Sequence, residues 1–171
     1  YSFRMFLGQV IGILWFDILR IRRKDIFRHL DIAFPELARK EKSRIGRASC
    51  VNMGQGFMDY FLIPFLNKEN LSEYFVLEGV ENFQKAKDKE KGVILMGLHL
   101  GTYDFAACFM AMQFPPFYVI SKNFKLKWLN DLWFGLRQSK GMRFIADRKS
   151  SFDILRALKN RSNVVFVLDQ Y

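Results

Sequence analysis

A chain of 171 residues, half of them apolar and including 19 Phe and 3 Trp, can bury one sizeable core, which excludes disorder for most of its length. A formal net charge of +10 draws the chain to nucleic acid, anionic membrane or an acidic protein without choosing among them. Cys50 and Cys108 match neither a zinc site nor a disulfide framework, so both read as buried thiols in a reducing compartment.

Met5 to Phe16 is an apolar run flanked by Arg4 and Asp17 and followed by Arg20, Arg22, Arg23, Lys24 and Arg28. It is shorter than the roughly 20 residues needed to cross a hydrocarbon core. A helix over residues 1–21 lying in the membrane interface, basic flank on anionic headgroups, fits better; a helix packed on the domain is the bland alternative. The chain begins without Met, which points to an upstream piece, and no small-residue cleavage site follows the run, which argues against a signal peptide. Phe34-Pro35-Glu36 signals a helix start. Beyond it, Ile45, Ala48, Val51 or Asn52, Phe57, Tyr60 and Phe61 recur at helical spacing, predicting an amphipathic helical region over 35–66 that ends near Pro64. The small residues Gly46, Ala48, Gly54 and Gly56 would let another helix approach closely.

From Tyr74 short apolar strands alternate with charged helices. Strands are expected at Tyr74 to Leu77, Gly92 to Gly97, Phe117 to Ser121, Met142 to Ile145 and Asn163 to Leu168. Helices are expected at Glu81 to Lys89, Tyr103 to Gln113, Leu126 to Ser139 and Phe152 to Lys159. The alternation predicts an α/β fold: a layered αβα core over 74–171 with a largely parallel sheet, preceded by the membrane-associated and amphipathic helices, all in one domain. In the helix from Leu126, the apolar groups Trp128, Leu129, Leu132, Trp133, Phe134 and Leu136 are too many for a narrow core stripe; part of that face is a candidate for lipid contact or an acyl tunnel beside the more ordinary use in the core.

Gly92 to Asp104 carries the chemistry. An apolar strand ends in a turn bearing His99, and a helix follows whose first turn holds Asp104. In parallel sheets ligands bind beyond the carboxyl ends of strands, so His99 stands where catalysis is expected. Thr102 is a plausible cap, and Gly101 lets the backbone bend or approach a substrate. Five helical steps would turn Asp104 well away from His99, but a bend between them lets the carboxylate fold back, fix the tautomer and leave the other ring nitrogen as a general base for a hydroxyl. A lone His-x4-Asp match is weak, and a turn histidine bonded to a helix-start carboxylate is its ordinary explanation. The other histidine, His29, lies in the basic stretch.

Four blocks in order carry a resemblance: Arg22-Arg23 with His29 to Glu36; Lys91 to Asp104; Arg137 to Met142; and Ala157 to Lys159 with Val164 to Gln170. Together they resemble the bacterial lipid A biosynthesis acyltransferases, within the lysophospholipid acyltransferase superfamily. The resemblance implies an acyl group passing from acyl carrier protein or coenzyme A to a hydroxyl of a lipid or glycolipid such as a lipid A precursor, with His99 as base and Asp104 as its orienter. It also implies a place on the cytoplasmic face of the bacterial inner membrane, with anionic membrane and not nucleic acid as the partner of the charge. No metal or redox cofactor is implied; the acyl thioester is a co-substrate. Gly101, Lys122, Arg137, Asp169 and Gln170 become candidate substrate contacts: Arg137 for phosphate, against a helix-dipole role, and Asp169 and Gln170 at a strand's carboxyl end, against an ordinary turn. Two departures matter. Asp104 stands where the lipid A branch usually has Glu, and the family's Tyr-Arg-Pro appears as Ile120-Ser121-Lys122, so an acceptor-binding arginine is either absent or replaced by Lys122. The family continues past Asp-Gln, so the chain is expected to be a piece of a longer protein.

A nucleic-acid-binding module and a catalytically inactive membrane-bound relative are the competing readings. The first would bind with a steep salt dependence untouched by His99→Ala; the second would bind lipid without transfer.

Overall fold

The computed structural model describes residues 2–169 and divides into two compact units, 1–61 and 62–171. In the first unit, α1 (Ser2–Ile13) runs into a wider π-helical turn (Leu14–Leu19), followed by α2 (Arg23–Ala33) and α3 (Arg39–Asp59). The small residues of α3 do admit another helix, and that helix is α1. A Cβ on Gly12 would stand 2.4 Å from the Val51 backbone, and one on Gly54 would stand 2.2 Å from the Gly8 carbonyl oxygen, so the two backbones touch where side chains are missing. Below this crossing Phe16, Phe27 and Cys50 form a buried cluster, joined by Trp15 and Ile26. Arg4 and Asp59 pair at 3.2 Å across α1 and α3.

The opposite surface of α1 stays uncovered, with Phe3 73% and Phe6 58% exposed. No helix of the described residues is long and apolar enough to cross a membrane. Helix α2 went unforeseen because its charged residues mask the pattern, yet Ile26, Phe27, Leu30 and Ala33 already mark one helical face. The signal at Phe34-Pro35 marks the end of α2 and a turn, and α3 begins at Arg39.

After a 3-10 segment (Tyr60–Phe65) at the division between the units, the second unit holds α4 (Leu71–Tyr74) and α5 (Val80–Lys87). Its sheet is β1 (Val93–Gly97), β2 (Phe117–Ser121), β3 (Met142–Ala146) and β4 (Asn163–Val167), joined by α6 (Tyr103–Gln113), α7 (Lys127–Gln138) and α8 (Ser151–Lys159). All pairings are parallel and the order is β1-β4-β2-β3. The α/β class and the parallel sheet therefore stand as expected. The two faces are covered separately: Ile145 and Val164 pack with Ala157 of α8, while the preceding residue of β3, Phe144, points the other way and meets Phe134 of α7 with ring centroids 4.5 Å apart. In α7, Phe134 is buried whereas Trp128 and Leu132 are exposed.

The strand expected at Tyr74 to Leu77 does not form. Tyr74 closes α4, and Phe75 is extended but turns its ring onto Phe105 and Phe109 of α6, at 5.0 and 4.5 Å. Apolar character at 74–77 serves aromatic packing and not a ladder. A single buried ring per short segment is indistinguishable from a strand until its neighbours are known.

Candidate active site

Strand β1 ends at Gly97, and five residues separate it from α6. Within that bend Leu100 N–H donates to the Leu98 carbonyl at 2.9 Å, and Gly101 sits at φ +55, where glycine is favoured although a Cβ would meet nothing within 4 Å. Thr102 precedes the first residue of α6 but its side chain makes no capping bond. The bend lifts His99 to the carboxyl edge of the sheet.

Because β4 lies beside β1, its end reaches the same place. Asp169 grips His99 twice: Oδ1 is 2.7 Å from Nδ1, and Oδ2 accepts the His99 backbone N–H at 2.9 Å. A carboxylate only accepts, so Nδ1 carries a proton, and in the neutral imidazole the lone pair is then on Nε2. The two side chains are 25% and 29% exposed, open enough for substrate to reach. The bond from His99 holds the Asp169 carboxyl below its ordinary value of 3.8. Tyr103 closes another side of the imidazole, edge-on with ring centroids 4.5 Å apart; burial pushes its phenol up.

Asp104 is placed differently. At 4% exposure it lies inside the second unit, where Arg137 Nη1 donates to Oδ1 at 2.8 Å. Burial pushes the Asp104 carboxyl above its ordinary range, and the Arg137 guanidinium pulls against that without cancelling it. Arg137, 3% exposed, also donates from Nε to the Trp133 carbonyl and lies over the rings of Trp133, Phe134 and Phe144 at 5.4, 4.9 and 4.7 Å. Its Nη2 is buried without a hydrogen-bond partner.

The structure thus brings together two pairs of the residues singled out by sequence, His99 with Asp169 and Asp104 with Arg137. Lys122 follows β2 on the carboxyl edge and is exposed, as is Gly101. Gln170 lies outside the described residues. Tyr103 was missed although it stands inside the motif; an aromatic residue four positions after a catalytic-type histidine is the signal that was there to read. Burial pushes the Cys108 thiol up to about 12 and raises Cys50 as well, so neither is a nucleophile.

Comparison with known proteins bears on what this arrangement does. A sequence model described as bacterial lipid A biosynthesis acyltransferase matches residues 1–171. The chain is 27% identical over 165 residues to the lipid A biosynthesis lauroyltransferase of Escherichia coli strain K12, covering 95% of this chain and 53% of that protein. It is 23% identical over 172 residues to the lipid A biosynthesis palmitoleoyltransferase of the same strain, covering 99% and 55%. A lipid A biosynthesis acyltransferase of Haemophilus influenzae is 24% identical over 144 residues, covering 83% and 44%. The chain spans about half the length of these curated relatives.

Proposed function

The chain belongs to the bacterial lipid A biosynthesis acyltransferase family, and from that premise we propose that the protein it represents transfers a fatty acyl group from a thioester, on acyl carrier protein or coenzyme A, to a hydroxyl of a lipid A-type acceptor. The observation that carries the reading is the His99–Asp169 contact at 2.7 Å on the carboxyl edge of the sheet, which leaves Nε2 as base.

In the reaction the acceptor hydroxyl attacks the thioester carbonyl as Nε2 takes its proton. A C–O bond forms, a tetrahedral oxyanion arises, and the C–S bond then breaks, the proton passing from the imidazolium to the departing thiolate. Asp169 fixes the tautomer and stabilises the imidazolium. Backbone N–H groups around Gly101 are candidates for the oxyanion, and exposed Lys122 for an acceptor phosphate. The buried Asp104–Arg137 pair ties the first turn of α6 to α7 and so holds the bend that carries His99. The thioester is already activated, so the scheme calls on no metal or redox cofactor. The uncovered apolar face of α1 and the net charge support a place on an anionic membrane, which in this proposal is the cytoplasmic face of the inner membrane.

The test is transfer of labelled acyl groups to a lipid A precursor by the full-length protein. His99→Ala is expected to lower turnover by about 10²–10⁴-fold. Equal product from wild type and His99→Ala would overturn the proposal.

A further inference from the structure

The first unit contains a groove of about 1110 Å³ lined by none of the candidate active-site residues. Arg20, Arg23 and Lys24 line one side from the π-helical turn and α2; Arg39, Lys40, Arg44 and Arg47 line the other from α3. The lining holds seven cations and one acidic residue, Glu41. They are not equally engaged. Arg47 is held by Asp17 at 2.7 Å, and Arg39 lies 3.4 Å over the Phe27 ring with Asp31 at 3.9 Å. Arg23 stacks on Phe16 and Phe27 at 4.6 and 5.7 Å. Stacking orients a planar guanidinium while leaving N–H groups at its edge, the arrangement that receives phosphate oxygens. Lys24, Lys40 and Arg44 have no ion-pair partner among the described residues.

The chain neighbours of Arg20, which lines the groove, select the ligand. Ile18 and Leu19 immediately precede Arg20, and Ile21 follows it; the first two are 65% and 63% exposed. Arg20 and Arg22 both adopt left-handed backbone, at φ 52 and 54. Nucleic acid or an acidic protein helix would satisfy the cations but leave the aliphatic side chains in water. A bilayer takes both, apolar tips at the acyl boundary and cations at the phosphates.

We infer that this groove is a binding site for the phosphate headgroups of anionic phospholipid, seated by the exposed Ile18, Leu19 and Ile21 that flank Arg20 in the chain. The site rests on the interfacial location proposed above and is independent of acyl transfer. The experiment is flotation of the full-length protein with vesicles of phosphatidylcholine alone or mixed with phosphatidylglycerol. Compared are wild type, Lys40→Glu/Arg44→Glu, Ile18→Ser/Leu19→Ser, and the charge-matched control Lys85→Glu/Lys159→Glu, each first shown to unfold at the wild-type temperature. A cation near an anionic surface contributes a factor of about five, so the groove double variant should lose at least about 25-fold in partition to the mixed vesicles. The Ile18→Ser/Leu19→Ser variant should also lose binding, the control far less, and inorganic phosphate at matched ionic strength should not compete.

Equal losses in groove and control variants would show a diffuse charge effect and overturn the site, leaving both the interfacial and the catalytic readings intact. Release by inorganic phosphate, or a groove variant that loses retention on an acidic peptide and not on vesicles, would overturn it in favour of another anion. His99→Ala is expected to bind vesicles as wild type does, which separates this outcome from the failure of acyl transfer.

Discussion

At the scale of residues, the two carboxylates in the site do opposite things because their surroundings differ. Asp169 is solvated and its pKa is lowered by His99, so its native value lies below the unfolded one. Protons then bind the unfolded chain first as the pH drops: the stability from the clamp is complete above 3.8 and is lost as the pH falls through the lower native value. The stability difference between wild type and Asp169→Asn, measured in denaturant over a pH series, should shrink in that acid range, and the same substitution should cut acyl transfer by more than about tenfold through loss of the Nδ1–H tautomer. Asp104 has the reverse sign. Arg137→Ala takes the guanidinium away from a buried carboxylate, a loss of about 3–5 kcal/mol near neutral pH. Because burial raises that carboxyl in the folded state, protonation favours the native form and the deficit should narrow on acidification. The double variant Arg137→Met/Asp104→Asn should recover most of the loss, which a thermodynamic cycle would detect.

At the scale of elements, missing side chains set the packing of the first unit. Gly12→Ala drives a methyl into the Val51 backbone and is expected to cost about 1–3 kcal/mol. Gly135→Ala in α7 meets nothing within 4 Å and should instead stabilise by up to about 1 kcal/mol through helix propensity. Thermal unfolding of the pair distinguishes close approach from glycine flexibility. Strands β1 to β4 were legible from sequence within one residue at each end, because alternating strand and helix textures are local properties. Helix α2 and the failed strand at Tyr74 to Leu77 were not. In both, the few apolar groups that matter are defined by what they pack against.

At the scale of the whole molecule, the +10 charge is concentrated in part along the groove of the first unit, whereas the second unit carries the imidazole and its partners. Both thiols are expected to resist a thiol reagent in the native protein and to react when it is unfolded, since Cys50 and Cys108 are buried and their pKa values raised. Reaction of Cys108 at the rate of an exposed thiol would show that the core around Asp104 and Arg137 opens readily.

Residue order alone determined the α/β class, the edge at which His99 stands and the family resemblance, since each follows from short-range patterns and ordered blocks. Tertiary structure decided which carboxylate holds the imidazole. Asp104 is five residues away and enters the core with Arg137, while Asp169 is 70 residues away and arrives because β4 inserts beside β1. Strand order is a long-range outcome of packing, and no local spacing encodes it.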